Sequence, residues 1–110
     1  MANEYLFSKY KGNNRIFIET GTWQGDGIEK ALQIGYEKVY SCDIDADLVK
    51  KSSDKFKDKN VKVVALPSSE ALKLFMSEVE EPCTIFLDAH VMPKDQNNES
   101  MGFDDRQLTL

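Results

Sequence analysis

The chain has 110 residues, the length of one domain, and a domain of this size buries roughly two-thirds of the surface that its unfolded chain exposes. Its 19 acidic and 14 basic side chains give a net charge of −5, and the lysines are scattered among acidic neighbours, so we expect no nucleic-acid partner. The first residues lack a basic leader with an apolar run, and no stretch of about 18 apolar residues occurs, which predicts a cytoplasmic protein without a membrane partner.

The first part of the chain is predicted to form an N-terminal arm or short helix, followed by a strand, a loop and a helix. Residues 1–14 are predicted to form an N-terminal arm or short helix that ends at Gly12-Asn13-Asn14. Residues 16–18 are β-branched and aromatic, which predicts a strand. The helix that follows is predicted to end at Gly35, where a left-handed C-terminal cap is needed.

The strand-and-helix unit then repeats along the chain. Further strands are predicted at residues 38–42, 61–66 and 84–87. Ser68 or Ser69 is predicted to cap the third helix, and residues 104–110 are predicted to start another. Cys42 and Cys83 lie in separate apolar runs without a CxxC spacing, so we expect buried free thiols. Alternating strands and helices predict an α/β fold with a parallel sheet.

The stretch FIETGTWQGDG, residues 17–27, ends the first strand with a carboxylate and three glycines. Its spacing, Glu19-x-Gly21-x-x-x-Gly25-x-Gly27, is neither GxGxxG nor GxxxxGK[ST], which excludes a phosphate-binding P-loop. The Glu19 carboxylate would repel a pyrophosphate and would suit an ammonium or sulfonium group. In a parallel sheet this loop lies at the carboxyl ends of the strands, where ligands bind.

A second carboxylate, Asp43, comes directly after the second strand, where it can accept both hydrogen bonds of a ribose diol. We therefore expect Glu19 and Asp43 to face one crevice. A ligand with a cationic amino-acid end and a nucleoside end fits this description, and S-adenosylmethionine has both. Trp23, within the polar loop, is expected to cover a ligand or partner and not to join the core.

Three stretches, FIETGTWQGDG, KVYSCDID and TIFLDAH, resemble the first, second and fourth strand signatures of class I S-adenosylmethionine-dependent methyltransferases. The closest pattern is the macrocin-type sugar O-methyltransferase branch, and the resemblance spans about residues 15–110. It implies a Rossmann-like three-layer sandwich over residues 1–110, with an incomplete parallel sheet of about four strands in the order 3-2-1-4. The implied cofactor-binding residues are Glu19, Gly21, Thr22, Gly25, Gly27, Asp43, Ile44 and Ser68.

The resemblance also implies catalytic roles for Asp88 and His90, which follow the fourth strand. His90 would act as the base toward a hydroxyl acceptor, and Asp88 would hold a divalent cation such as Mg²⁺. Structural roles remain open for all of these residues: Asp88 can cap a helix and His90 can be structural, Glu19 and Asp43 can cap helices or turns, and the glycines can serve tight connections alone.

The predicted function is methyl transfer from S-adenosylmethionine to a hydroxyl of a small, sugar-like acceptor. One alternative is a non-catalytic S-adenosylmethionine-binding or assembly module, and another is a shortened product of a longer gene that folds only through oligomerisation. Because the fourth strand would be an uncovered apolar edge, we also expect a homo-oligomer that covers it.

Overall fold

Strands and helices alternate along the chain. The computed structural model describes residues 4–87 and 107–109. In chain order, its elements are α1 (Glu4–Lys9), β1 (Ile16–Thr20), α2 (Asp26–Ile34), β2 (Lys38–Asp43), α3 (Ala46–Lys55), β3 (Val61–Ala65), α4 (Ser68–Glu78), β4 (Cys83–Leu87) and β5 (Gln107–Thr109). The predicted strands are all present, with ends shifted by one or two residues.

The strands form one sheet in the order β3-β2-β1-β4-β5. β1 pairs in parallel with β2 and β4, and β2 pairs in parallel with β3. This parallel part confirms the predicted Rossmann-like order 3-2-1-4. All five residues of β1 are buried because a strand lies on each side of it and helices cover both faces. The carboxyl ends of β1, β2 and β3 therefore meet at one end of the sheet.

Successive residues of β1 point to opposite faces and enter two separate apolar clusters. Phe17 packs with residues of α1 and α2, and its ring centroid lies 4.5 Å from that of Phe7. Ile18 packs on the other face with α4, where the Tyr40 and Phe75 ring centroids are 4.9 Å apart. The result is a three-layer sandwich with α1, α2 and the end of α3 on one side and α4 on the other.

Of the two helix caps predicted from the sequence, one is present and the other is not. Gly35 has a φ of 115°, and its N–H bonds to the carbonyls of Ala31 and Leu32, which confirms the predicted cap. Neither Ser68 nor Ser69 caps α4, so that prediction is wrong. Pro67 occupies the N-cap position, and its carbonyl accepts the Ala71 N–H at 2.9 Å. Proline favours an extended backbone, which suits an N-cap residue, so the cap lies at Pro67, one residue before Ser68.

The edge beside β4 also differs from the prediction. Residues 107–109 form a strand, not part of a helix, and β5 pairs antiparallel with β4, with Thr84 opposite Thr109. The chain's own backbone therefore covers the edge that we expected a second copy to cover. Because β5 covers it, the edge of β4 gives no reason to expect a homo-oligomer there. None of the helices that the structure describes has the length and apolar character of a bilayer-spanning segment.

Both cysteines are free and buried, as predicted. Burial raises the pKa of the Cys42 thiol to about 11 and also raises the pKa of Cys83. Since the thiolate is the nucleophilic form, both side chains are expected to be inert at neutral pH.

Helix α1 is anchored to the sheet layer by one buried aromatic ring and one hydrogen bond. Phe7 is 1% exposed and contacts the rings of Phe17 and Phe86. The Tyr36 hydroxyl donates to the Phe7 carbonyl at 2.9 Å in a buried setting. An unpaired buried carbonyl is costly, so this bond fixes where α1 lies.

We expect Tyr36→Phe to lower the free energy of unfolding by about 0.5–1.5 kcal/mol, because the Phe7 carbonyl loses its hydroxyl donor. Urea unfolding followed by circular dichroism measures the change. Tyr5→Phe is the matched control, since the Tyr5 side chain is 70% exposed. Equal losses in the two variants would contradict the assignment.

Candidate functional site

A groove of about 450 Å³ lies at the carboxyl ends of β1, β2 and β3. Its volume falls within the roughly 300–1,000 Å³ of typical small-molecule sites. The loops after these three strands line it, with Gly21, Trp23, Cys42, Asp43, Ile44, Asp45, Leu48, Leu66, Pro67 and Ser68 on its walls. This is the end of a parallel sheet at which ligands bind.

The lining residues give the groove an acidic character. Asp43 and Asp45 supply carboxylates, and none of the described residues that line the groove is a lysine or arginine. Unlike charges attract across such a partly desolvated surface more strongly than in bulk water. The groove therefore favours a cationic ligand and disfavours a phosphate.

Asp43, the last residue of β2, is half-buried and joins two loops. Its Oδ2 accepts the backbone N–H of Trp23 at 3.1 Å, and its Oδ1 accepts the backbone N–H of Asp45 at 3.0 Å. An ionised carboxylate has about four acceptor sites, so each oxygen retains capacity for a ligand hydroxyl. Asp43 is thus both a structural clamp and a candidate for binding a diol.

Glu19 does not line the groove, and this corrects the expectation that Glu19 and Asp43 face one crevice. Its side chain is 3% exposed, and its Oε2 accepts the Ser41 hydroxyl at 2.8 Å. The Thr22 hydroxyl lies 2.6 Å from that of Ser41 and extends this buried network. The cause is strand geometry: Glu19 pairs with Ser41 in the sheet and points to the face that α2 covers.

Two of the three loop glycines make room for neighbouring side chains. A Cβ on Gly27 would collide with the Glu19 carboxylate. Gly25 has a φ of 91°, and a Cβ there would lie 2.9 Å from the Phe56 ring. For these two positions the structure supports the tight-connection role left open by the sequence. Gly21, with a φ of 88°, is the loop glycine that also lines the groove.

The predicted cofactor-binding residues fall into two groups. Gly21, Asp43, Ile44 and Ser68 line the groove, whereas Glu19, Thr22, Gly25 and Gly27 are buried behind it or beside it. Asp88 and His90 lie outside the described residues, so their catalytic roles and the cation site at Asp88 stay predictions. Within the described part of the chain, no three His, Cys, Asp or Glu side chains form a cluster able to hold a metal ion.

Several lining residues were not proposed as site residues from the sequence. Asp45 and Leu48 belong to the start of α3, which Asp45 caps by accepting the N–H groups of Asp47 and Leu48. The sequence signal for both residues was that they follow Asp43 closely, by two and five positions. Trp23 is 48% exposed and lines the groove, so it lies outside the core as expected, and its role as a cover for a ligand or partner stays a prediction.

No protein-family model matches the sequence, and no curated protein matches it. An rRNA methylase from Streptococcus thermophilus has a similar structure, with a TM-score of 0.53 and 14% identity over 86% of this chain and 72% of that chain. The MccD protein is similar with a TM-score of 0.52 and 11% identity over 94% of this chain and 62% of that chain. At these identities the likeness shows the fold alone, a Rossmann-like fold, and lends no support to the macrocin-type branch.

The likeness to the rRNA methylase overturns the expectation of a small-molecule acceptor with no nucleic-acid partner. The small acceptor had been implied by the macrocin-type resemblance, and the exclusion of nucleic acid came from scattered lysines and a net charge of −5, which is an average over the whole chain. The lysines are less evenly spread than they first appeared, because residues 50–59 contain five lysines and two aspartates. Net charge therefore excludes no acceptor class here.

We expect Gly27→Ala to destabilise the fold by about 1–3 kcal/mol, because the new methyl group would overpack against the Glu19 carboxylate. In a helix without such a contact, glycine to alanine raises the free energy of unfolding by about 0.5–1 kcal/mol. A decrease would therefore indicate the contact with Glu19. Urea unfolding measures it. In a Glu19→Ala background the cost of Gly27→Ala should fall, and a cost unchanged by Glu19→Ala would contradict the contact.

Proposed function

We propose that this chain binds S-adenosylmethionine in the groove and functions as a methyltransferase domain. The observation that carries the proposal is an acidic groove at the carboxyl ends of three parallel strands, with the Asp43 carboxylate on its wall and no basic side chain on the part of the wall that the structure describes. A sulfonium and an ammonium are favoured there by charge. A ribose diol would find acceptors on Asp43.

The groove-lining residues take distinct parts in this proposal. Asp43 binds the ribose hydroxyls, and the backbone around Gly21 receives the methionine part. For adenine, Ile44, 76% exposed at the rim, supplies an apolar wall and Ser68 supplies a polar one. Glu19 is a positioning residue in this scheme, because its hydrogen bond to Ser41 supports the loop from beneath.

S-adenosylmethionine supplies an electrophilic methyl group, and its transfer is an in-line displacement that depends on alignment. Holding two reactants in line lowers a barrier by roughly 7–11 kcal/mol in favourable cases. The hydrogen bond that the Trp23 N–H donates to Asp43 preorganises the two loops that would hold S-adenosylmethionine. We retain His90 as the proposed base and Asp88 as the proposed ligand of a divalent cation.

We propose RNA as the acceptor class. The likeness to the S. thermophilus rRNA methylase supports this, and so does the lysine-rich stretch of residues 50–59. Lys50, Lys51 and Lys55 are exposed on α3, the helix whose first turn borders the groove. Phosphate contacts from lysines supply most of the sequence-independent affinity for nucleic acids.

We expect calorimetry to detect S-adenosylmethionine and S-adenosylhomocysteine binding, and Asp43→Asn to weaken both by roughly 10-fold or more, because hydrogen bonds to a charged acceptor are lost. Asp47→Asn is the matched control, since it removes the same charge from an exposed position outside the groove. If the unmodified chain binds neither compound, the proposal is wrong.

We expect the chain to transfer a labelled methyl group from S-adenosylmethionine to RNA, with RNA binding that weakens as salt rises. Replacing Lys50 and Lys51 by glutamine should reduce RNA affinity and make the salt dependence shallower. Lys73→Gln, at an exposed position on α4, should change neither. Cofactor binding without transfer to RNA would favour the non-catalytic module instead.

A further inference from the structure

Trp23 has a backbone conformation that is costly for its side chain. Its φ is 51°, and among the described residues it is the one non-glycine with a positive φ. Gly21 and Gly25, on either side of it, adopt positive φ values of 88° and 91°, which glycine does readily. A bulky residue in this region is an outlier that usually accompanies a functional constraint.

The indole is held beside the groove and not in the core. The Trp23 N–H donates to Asp43 Oδ2 at 3.1 Å, and the Gly25 N–H donates to the Thr22 carbonyl at 2.9 Å, which closes the turn around Trp23. The Trp23 side chain lines the groove with 48% of its surface exposed. Packing of the core therefore does not explain why a large aromatic residue occupies this strained position.

The location of Trp23 matches one part of the proposed ligand. Trp23 belongs to the loop after β1, assigned to the methionine part, and its backbone is bonded to Asp43, assigned to the ribose. In S-adenosylmethionine the sulfonium sulfur joins the methionine chain to the ribose. With the ligand bound in this way, Trp23, which links the two binding elements, would lie near the charged sulfur.

We propose, on the basis of the proposed function, that the Trp23 indole face binds the sulfonium by a cation–π interaction and so makes the groove prefer S-adenosylmethionine to S-adenosylhomocysteine. Indole is the best aromatic partner for a cation, and the neighbouring carboxylates of Asp43 and Asp45 add to the attraction. The thioether of S-adenosylhomocysteine is neutral and loses this attraction. The residue would then favour entry of the methyl donor and departure of its by-product.

The test compares the affinities for the two compounds by calorimetry in the unmodified chain, Trp23→Gly, Trp23→Leu and Trp23→Phe. Trp23→Gly suits the positive φ, so it should fold even if the leucine variant does not. We expect Trp23→Gly and Trp23→Leu to weaken S-adenosylmethionine binding by roughly 2- to 5-fold more than S-adenosylhomocysteine binding, and Trp23→Phe to retain part of the preference. Tyr5→Leu removes an exposed aromatic ring on α1 and should change neither affinity.

Trp23 is the single tryptophan of the chain, so its fluorescence reports on this residue directly. A change in emission with both compounds, larger with the sulfonium, is expected in the unmodified chain. Equal weakening of both compounds in the Trp23 variants would show an apolar cover and would overturn the inference while leaving the proposed function intact. Absence of binding by the unmodified chain would overturn the proposed function and this inference together.

Discussion

The burial of the Glu19 carboxylate is the constraint on which the first loop depends. A buried carboxylate is tolerated only with hydrogen-bond partners, and Ser41 on the neighbouring strand donates one at 2.8 Å. The carboxylate fills the space where a side chain at position 27 would lie, so α2 must begin with a glycine in its first turn. A glutamate interpreted from the sequence as a ligand contact is therefore better understood as a support for the loop that lines the groove.

Asp43 supports the same loop from its exposed side. Its two oxygens accept N–H groups from Trp23 and Asp45, which belong to the loops after β1 and β2. One side chain thus fixes the spacing of two groove walls before any ligand arrives. Preorganisation of this kind lowers the ordering cost of binding, because the loops need not be immobilised when the ligand enters.

The sequence was informative about the strands and less so about what packs around them. Apolar runs located β1 to β4 because buried parallel strands lack alternation, and the resemblance supplied their order. The side-chain direction of Glu19 could be judged from strand parity, yet its full burial depended on how closely α2 approaches. β5 was missed because three residues, 107–109, are too few to show a period. The cap at Pro67 was missed because serine is the commoner choice.

The charged residues of α3 have two explanations, helix stability and RNA binding, and the sizes of the two effects distinguish them. Asp47 in the first turn and Lys55 in the last turn suit the helix dipole. The Lys50 Nζ lies 3.7 Å from the Asp54 Oδ2, four residues further along the helix, as in a helix-stabilising ion pair. Exposed ion pairs of this type contribute only about 0–1 kcal/mol to the free energy of unfolding. Neutralising lysines on α3 should therefore leave the fold intact. A large effect of such changes on RNA binding would have to come from phosphate contacts, because helix stability alone is too small a term to produce it.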